Sequence, residues 1–337
     1  MSVQIKQLKI GVIGLGVGQA HVEAYQRSKF CDVVALCDIS GEKQRWAEQH
    51  HHGISFTKNA EDILTDPSVD VVSICSYDDI HYEHIISALE HNKHIFVEKP
   101  LCLYKEHAQE IRKVLGRKPH LKISSNLILR KCPRFIALRD KIVRGEFGEL
   151  FAIEGDYNYG RLHKVTEGWR GLLDFYSIVL GGGVHIIDLF LWLTGSRIIE
   201  VCAYGNQIAS AGSQFRYPDM VTSILRFENG MIGKMSVNFG CVQPHFHNLS
   251  VYGTKATFVN DREFGKLYHS RDPELPYERM EQAYPGVHKG DLLEDFIDAV
   301  INNREPDIGR VAIFDAISIC LAIEKSINTG PVPVEYI

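Results

Sequence analysis

The chain has 337 residues, of which 45% are hydrophobic and 23% charged, a composition typical of a globular protein of about two domains. Its 37 basic and 42 acidic residues give a formal net charge of −5. This charge argues against general nucleic-acid binding, which needs a basic surface. The longest apolar stretches are far short of a membrane span, and residues 1–9 lack the apolar run of a secretory signal.

The eight cysteines form no C-x-x-C pair, and several lie inside apolar, strand-like runs. We therefore expect buried, reduced thiols in a cytoplasmic protein rather than a disulfide framework. The histidines cluster in pairs without a third and a fourth ligand, for example His245 and His247 alternating on a strand. For this reason we expect no metal site.

The first 125 residues alternate strand-like and helix-like segments. Apolar runs lie at residues 8–13, 33–37, 69–75, 94–97 and 122–125, and helical patterns lie at 19–28, 41–51, 79–91 and 104–115. Continuous apolar strands are expected where helices cover both faces of a sheet. The alternation predicts an α/β fold with a doubly wound parallel sheet.

The pattern changes after residue 126. Helical patterns lie at residues 133–144, 183–194, 289–302 and 310–328, and strand patterns at 150–159, 199–207, 220–227, 231–239, 247–252 and 256–259. Asn229-Gly230 between two strand patterns indicates a hairpin, and the proline-containing stretch 271–285 indicates a loop. We predict an α+β domain with a mostly antiparallel open sheet and helices on one face.

A glycine-rich turn joins the first predicted strand to the first predicted helix. Gly14, Gly16, Val17 and Gly18 form it, with the last glycine one residue earlier than in G-x-G-x-x-G. Such a turn suits a pyrophosphate, because glycines admit the anion close to the backbone and the helix start offers free N–H groups. Asp38 follows the second strand and can accept a hydrogen bond from a ribose hydroxyl. The context predicts a Rossmann-type dinucleotide site.

Asp38 also bears on the choice of dinucleotide. A carboxylate about 4 Å from a 2′-phosphate costs up to ~4 kcal/mol per unit charge at an effective dielectric near 20. No arginine directly follows Asp38, although Lys43 and Arg45 are near in sequence. The sequence therefore favours NAD as the cofactor, and NADP stays open.

Four segments carry a resemblance to a known family. They are residues 14–21, Glu98-Lys99-Pro100, Trp169-Arg170 and the run GGGVHIID at 181–188. Together they resemble the glucose–fructose oxidoreductase and inositol dehydrogenase (Gfo/Idh/MocA) family. The resemblance implies an NAD(P)-binding Rossmann domain at residues 1–125 and a substrate-binding and oligomerisation domain at 126–337. It also implies hydride transfer between nicotinamide and a hydroxyl of a sugar, cyclitol or nucleotide sugar, in a homodimer or homotetramer.

The resemblance also assigns site residues. Lys99 matches the catalytic lysine, Pro100 a neighbouring proline that is often cis, and His185 the catalytic histidine. The cofactor-binding candidates are Gly14, Gly16, Val17, Gly18, Asp38, Ser76, Tyr77, His81, Glu98, Lys99 and Pro100. Our hypothesis is that His185 is the base for the reacting hydroxyl and that Lys99 polarises the same oxygen, although the two roles could be exchanged.

Two positions depart from the family pattern. The family often has Asp four residues before the catalytic histidine, and this chain has Gly181 there. We expect Asp174 or Tyr176 to compensate for the missing Asp. We expect Asp188 to support the catalytic residues indirectly or to have a structural role. The family's Thr-Pro-Asn before a helix is replaced by Ser76-Tyr77-Asp78.

A cluster of aromatic and basic residues follows the strand at 150–159. The substrate-binding candidates here are Tyr157, Arg161, Lys164, Trp169 and Arg170, and the resemblance adds Asn126, which lies at a strand end where the family often has an Asn that faces substrate or cofactor. Such groups suit a sugar ring with an anionic substituent, and they equally suit a solvated loop or a subunit contact.

Two other functions stay open. One is an NAD-assisted glycosidase or epimerase that releases no net NADH, and the other is a regulator that senses a dinucleotide without catalysis.

Overall fold

A computed structural model describes residues 7–337; residues 1–6, which begin the predicted first domain and the segment tested for a secretory signal, lie outside the described range. The strands are β1 Leu8–Ile13, β2 Cys31–Cys37, β3 Ser55–Thr57, β4 Val71–Ile74, β5 His94–Val97, β6 Ile123–Ser125, β7 Leu150–Asn158, β8 Ile198–Asn206, β9 Met220–Phe227, β10 Ile232–Asn238, β11 Phe246–Gly253, β12 Thr257–Asn260, β13 Gly265–Tyr268, β14 Glu278–Met280 and β15 Val332–Pro333. The helices are α1 Gly18–Arg27, α2 Gly41–His50, α3 Glu61–Leu64, α4 His81–Glu90, α5 Lys105–Arg117, α6 Pro133–Val143, α7 His163–Thr166, α8 Val184–Thr194, α9 Leu293–Ile301 and α10 Arg310–Thr329. The chain divides into two compact units.

The first unit contains the described residues up to Asn126, together with 288–314 and Ile337. Its six strands form a parallel sheet in the order β3-β2-β1-β4-β5-β6, which confirms the predicted doubly wound sheet. Every residue of β4 is buried, as expected for a strand covered on both faces. The strand order reverses between β1 and β4, and ligands of such sheets bind outside the carboxyl ends of the strands at that reversal.

Helix α9 belongs to this first unit, although it comes late in the chain. It packs against α1 and β5, and the Phe296 ring lies 5.6 Å from that of Phe96. Just before α9, Gly290 lies so close to α1 that an added Cβ would collide with the Ala24 side chain. The two units therefore interleave along the chain, which a single boundary near residue 126 does not describe.

The second unit contains residues 127–287 and 315–336. Its nine strands are ordered β14-β13-β12-β11-β7-β10-β9-β8-β15, and among the described strands β7 and β10 are the one parallel pair. This confirms the predicted, mostly antiparallel sheet. The predicted hairpin joins β9 to β10, with Gly230 at a φ of 86°.

Helix α8 packs closely on the central strand β7. A Cβ at Gly155 would lie 2.8 Å from both Ile186 Cγ2 and Phe190 Cε1, so the absence of a side chain there lets the helix approach. Ile153, Gly155 and Tyr157 alternate along the covered face of β7. This packing brings the first turn of α8 next to Tyr157.

Several short elements differ from the predictions. Strand β14 lies within the stretch predicted as a loop, α9 begins four residues later than predicted, and His245 precedes β11 rather than lying on it. Helices α3 and α7 and strands β3, β13 and β15 were not predicted, because elements of two to four residues show no period and these lie outside the apolar runs that predicted β4, β5 and β6.

Candidate functional site

The glycine-rich turn lies at the carboxyl end of β1, at the reversal of strand order. Gly14 has a φ of 88°, and an added Cβ would lie 2.8 Å from the backbone nitrogen of Ser76, so this position requires glycine. An added Cβ at Gly16, in contrast, would meet nothing within 4 Å. Helix α1 begins at Gly18, and within residues 7–337 no side chain caps its first turn. An exposed glycine backbone followed by an uncapped helix start fits a pyrophosphate.

Asp38 lies at the carboxyl end of β2, beside this turn. Its carboxylate accepts hydrogen bonds from the backbone N–H groups of Leu15, at 2.6 Å, and Ser40, at 2.8 Å. These bonds fix a negative charge next to the glycine turn. A carboxylate has further lone pairs, so both oxygens can still accept from a ribose diol.

The Glu98-Lys99-Pro100 segment follows β5. Glu98 is buried, and its Oε1 accepts a hydrogen bond from Asn126 Nδ2 at 2.6 Å and lies 3.4 Å from His21 Nε2. The Lys99–Pro100 peptide bond is cis, as the resemblance implies, and the Lys99 side chain is partly exposed. Lys99 therefore directly follows the buried Glu98 carboxylate, which a hydrogen bond from Asn126 holds at the carboxyl end of the sheet.

The charges around Glu98 are balanced inside the first unit. Burial opposes ionisation of Glu98, but the Lys289 ammonium, His21 and Lys99 hold its pKa well below the usual range. Burial likewise opposes protonation of His21, but Cys75 and Glu98 together raise the pKa of His21 to about 10. His21 also contacts Cys75 Sγ at 3.2 Å and Ser73 Oγ at 2.8 Å. The pair is therefore a buried imidazolium and carboxylate.

Asn126 is fully buried at the end of β6. Its Nδ2 is used by Glu98 and by the backbone oxygen of Lys289, at 3.4 Å, while its Oδ1 accepts no hydrogen bond from the described residues. A buried acceptor without a partner is costly unless a ligand or water satisfies it. This oxygen, the glycine turn and Asp38 fit a bound dinucleotide at this edge.

The other cofactor candidates have different roles. His81 is fully buried, with Nδ1 2.7 Å from the Pro100 oxygen and Nε2 3.2 Å from the Ser76 oxygen, so it braces the backbone on either side. The Ser76 hydroxyl contacts His84 Nδ1 at 3.1 Å. Tyr77 and Val17, which follow β4 and β1, are 43% and 37% exposed.

In the second unit, His185 lies in the first turn of α8 and is buried. Its ring is stacked on that of Tyr157, with centroids 6.0 Å apart and planes 16° apart. Val179–Gly183, directly before α8, forms a π-helical turn that contains three glycines. A Cβ at Gly182 would lie 2.8 Å from Tyr157 Cε1, so this glycine admits the ring that packs on His185.

Tyr157 is the centre of an aromatic cluster. Its ring centroid lies within 6.3 Å of those of Tyr159, Phe239, His245 and His247. Burial lowers the pKa of His247 to about 3, and its Nδ1 lies 2.7 Å from the hydroxyl of Tyr284, so His247 is a neutral member of this wall. The sequence signalled neither His247 nor Tyr284 as part of a site.

Two of the three basic substrate candidates, Arg161 and Arg170, lie on aromatic rings. The Arg161 guanidinium lies 5.2 Å from the Tyr159 ring centroid, and that of Arg170 lies 4.3 Å from the Trp169 ring. Lys164, on the short helix α7, is exposed. Cation–π contacts of this kind hold a guanidinium in place beside an aromatic wall.

The structure gives contacts for the three supporting candidates Asp188, Asp174 and Tyr176. Asp188 is fully buried, and Arg130 donates to both of its oxygens at 2.9 and 2.5 Å. Burial raises the pKa of Asp188, while Arg130 opposes that rise, so Asp188 belongs to an internal ion pair. Asp174 accepts a hydrogen bond from Tyr217 through its backbone oxygen. Tyr176 is buried, and its hydroxyl lies against Gly181.

The described residues supply two negative observations. Within residues 7–337, no group of three or more His, Cys, Asp or Glu side chains is arranged to hold a metal ion. No helix in the same range has both the length and the apolar character needed to cross a bilayer.

The parallel sheet, the glycine turn at the strand reversal and the acidic residue after β2 define the first unit as a dinucleotide-binding domain of Rossmann topology. Comparison with known families gives the same result. Residues 8–123 match the oxidoreductase family with an NAD-binding Rossmann fold, and residues 135–259 match the GFO/IDH/MocA C-terminal domain. The chain belongs to the Gfo/Idh/MocA family, as the motifs indicated, and is an NAD-binding oxidoreductase.

Three relatives illustrate the likeness. An uncharacterized oxidoreductase of Bacillus subtilis, YrbE, is 25% identical over 98% of each chain. A myo-inositol 2-dehydrogenase of Thermotoga maritima is 24% identical over 75% of each chain. The crystal structure of a scyllo-inositol dehydrogenase from Lactobacillus casei, with bound NAD(H) and scyllo-inositol, has a TM-score of 0.79 at 19% identity, covering 98% of this chain and 99% of that one. At this identity the structural likeness shows a common fold.

Proposed function

We propose that this protein is an NAD-dependent dehydrogenase that oxidises a secondary hydroxyl of a cyclitol, sugar or nucleotide sugar. The observation that carries the proposal is Lys99, which follows a Rossmann strand directly after the buried, ionised Glu98. A cation anchored at the carboxyl edge of such a sheet lies where the reactive end of a dinucleotide binds. The relatives named as inositol dehydrogenases support the choice of a cyclic polyol.

The proposed chemistry divides between two side chains. His185 takes the proton of the substrate hydroxyl, and Lys99 polarises the oxygen as it becomes a carbonyl. The glycine turn and Asp38 would hold NAD⁺, which would supply the hydride acceptor for the carbon that bears the hydroxyl; the substrate would leave as a ketone and its hydroxyl proton would remain on His185. The stacked Tyr157 ring restricts the plane of the imidazole, and the aromatic wall around it presents flat apolar faces to the C–H face of a sugar ring.

Asp38 supports NAD rather than NADP as the cofactor. Its charge is held by two backbone N–H groups, so it cannot easily turn away from a 2′-phosphate. In this proposal the first unit binds the dinucleotide and the second unit supplies the substrate-binding residues.

We also propose that the protein is a homodimer or homotetramer in a reducing, cytoplasmic compartment. The face of the nine-stranded sheet that α8 does not cover carries the exposed side chains of Tyr204, Ile224 and Ile232. Neighbouring exposed apolar side chains of this kind mark association surfaces. Light scattering during gel filtration tests this point, and a monomer at micromolar concentration would contradict it.

The test of function is a turnover assay with a defined substrate panel. The wild-type protein, Lys99→Ala and His185→Ala are each incubated with NAD⁺ or NADP⁺ and with myo-inositol, scyllo-inositol, neutral aldoses, uronic acids and nucleotide sugars. We expect NADH absorbance with at least one polyol, and loss of that signal in both variants. Substrate conversion without net NADH would identify the glycosidase or epimerase alternative. NAD binding without conversion of any substrate would identify the sensor.

A further inference from the structure

His247 lies next to the ring that stacks on His185. The register of the sheet places His247, on β11, directly opposite Tyr157, on β7, so both side chains project from the same face. Their ring centroids are 5.2 Å apart, and the centroid of Tyr157 is 6.0 Å from that of His185. The neighbouring Tyr159 and His245 are only partly buried, so this end of the sheet face is accessible to a ligand.

The hydroxyl of Tyr284 fixes the tautomer of His247. It lies 2.8 Å from the His247 backbone nitrogen and 2.7 Å from Nδ1 of the same residue. The backbone N–H can only donate, so it uses a lone pair of the phenol oxygen and leaves the phenol proton for Nδ1. Within residues 7–337 this proton has no other acceptor. A neutral imidazole that accepts at Nδ1 carries its own proton at Nε2.

A buried arginine holds this pair in place. The Arg134 guanidinium lies 5.3 Å from the Tyr284 ring centroid and donates to Asn260 Oδ1 at 2.9 Å. Asn260 Nδ2 in turn donates to the backbone oxygen of His247 at 2.9 Å. Arg134 also donates to the backbone oxygen of Gln282, at 3.1 Å. Both members of the pair are therefore tied to one cation, and the imidazole has a defined orientation.

The Nε2–H group of His247 is the end of this network. The residue is 6% exposed, and in the described part of the chain no side chain or backbone oxygen accepts from Nε2. A nearly buried donor without a partner is costly unless a ligand or water satisfies it. Burial, together with the nearby His245, lowers the pKa of His247 to about 3. The rings that face it, those of Tyr157, Tyr284 and His245, supply no negative charge that would favour an imidazolium.

We propose that His247 is a specificity-determining residue, which donates its Nε2–H to a ring hydroxyl of the substrate and so selects a neutral cyclic polyol. A hydroxyl oxygen accepts from a neutral N–H without bringing a charge into a buried site. A carboxylate or phosphate at the same point would lose hydration and gain no cation in return. The kinetic part of this inference rests on the proposed dehydrogenase function, but the binding of a polyol at His247 does not require turnover.

The first test reads the tautomer of His247. We would record ¹⁵N NMR spectra of protein labelled at histidine and assign the His247 signals by comparison with His247→Gln. We expect the shifts of a neutral ring protonated at Nε2, constant between about pH 5.5 and 8.5. Tyr284→Phe removes the phenol proton and should change this pattern, whereas Tyr277→Phe removes a hydroxyl from an exposed ring and should not. A ring protonated at Nδ1, or one that titrates in this range, would overturn the inference.

The second test adds ligands to the protein saturated with NADH. Both myo-inositol and scyllo-inositol are titrated, and at least one should shift the Nε2–H signal of His247. Glucuronate, which carries a carboxylate, should bind more weakly than that inositol. The same titration with His269→Gln is the control, because His269 is exposed and pairs with Glu278 away from this wall.

Kinetics with the best polyol of the panel give a third readout. His247→Phe should lower kcat/KM by about tenfold or more, mainly through KM, because the lost hydrogen bond contributes to binding. His247→Gln should recover part of this loss, since its amide N–H can reach nearly the same point. Tyr284→Phe keeps the imidazole but frees its tautomer, and should also lower kcat/KM if His247→Phe fails to fold.

The outcomes separate this inference from the proposed function. An Nε2–H signal that neither inositol shifts, tighter binding of glucuronate, or full activity of the folded His247→Phe would overturn the inference, and NADH formation by the wild-type protein would still support a dehydrogenase. A shift of the His247 signal by an inositol, without NADH formation from any substrate, would support the inference and contradict the dehydrogenase.

Discussion

Asp38 gives a quantitative prediction about cofactor choice. The substitution Asp38→Asn removes the negative charge but keeps an acceptor oxygen of nearly the same shape and position. One of the two backbone N–H groups of Leu15 and Ser40, now 2.6 and 2.8 Å from the carboxylate, can still be satisfied by the amide oxygen. The main consequence should therefore be electrostatic and should fall on a ligand that carries a 2′-phosphate.

The size of the effect follows from the distance and the exposure. Two unit charges about 4 Å apart repel by ~4 kcal/mol at an effective dielectric near 20. Asp38 is partly exposed, so solvent and salt reduce the repulsion to about 1–2 kcal/mol. Since 1.4 kcal/mol corresponds to a tenfold change in affinity, Asp38→Asn should raise the NADPH-to-NADH affinity ratio by about 5- to 30-fold.

The assay is calorimetric titration with NADH and NADPH at two salt concentrations. The matched control is Asp32→Asn, which removes the same charge near the amino end of the same strand, where the side chain is exposed. The NADPH-to-NADH affinity ratio should change in Asp38→Asn and not in Asp32→Asn. The change should be smaller at the higher salt concentration. An unchanged ratio, or an equal change in the control, would refute the assignment of Asp38 to cofactor selection.

Three further predictions concern both units. Gly182→Ala forces the Tyr157 ring away from a Cβ that would lie 2.8 Å from it, so kcat/KM and the melting temperature should both fall; retention of both would contradict the packing. The pKa of His21 is raised from 6.5 to about 10, so the stability from its protonation is fully present below pH 6.5 and is lost as the pH rises towards 10. Urea unfolding should show this decline, with a ceiling of ~5 kcal/mol, and His21→Phe should flatten it. Lys99→Ala should abolish turnover yet leave NADH affinity within a few-fold; normal turnover would remove Lys99 from the mechanism.

The layout of the first unit was predictable because each of its features is local in sequence. Continuous apolar runs, the glycine turn and the acid after β2 all lie within one βαβ segment, and their spacing is set by strand and helix length. The interleaving of the two units was not predictable in this way. The sequence of α9 shows that the helix is amphipathic, but it does not show which elements its apolar face contacts. In the structure these elements are α1 and β5.

The candidate site likewise combines features that are local in sequence with contacts that depend on tertiary structure. Lys99 and His185 are found from short motifs, but the groups that set their surroundings come from distant positions. Lys289 balances the charge of Glu98 across about 190 residues of chain, and Tyr157 reaches His185 through the packing of α8 on β7. A single sequence shows the chemistry of a side chain but not the neighbours that tune it, because those contacts depend on tertiary structure.

The glycine run before His185 is explained by what approaches it rather than by flexibility. Each glycine costs about 1 kcal/mol relative to alanine in a helix, so three in succession are a substantial local cost. At every one of them a different side chain takes the free space: the Tyr176 hydroxyl at Gly181, the Tyr157 ring at Gly182 and Val237 at Gly183. All three glycines are buried in a π-helical turn, a feature frequent at functional sites. Residues from outside the helix therefore surround the start of α8, which carries His185. They belong to β7, β10 and the segment that carries Tyr176, and these elements set the local geometry.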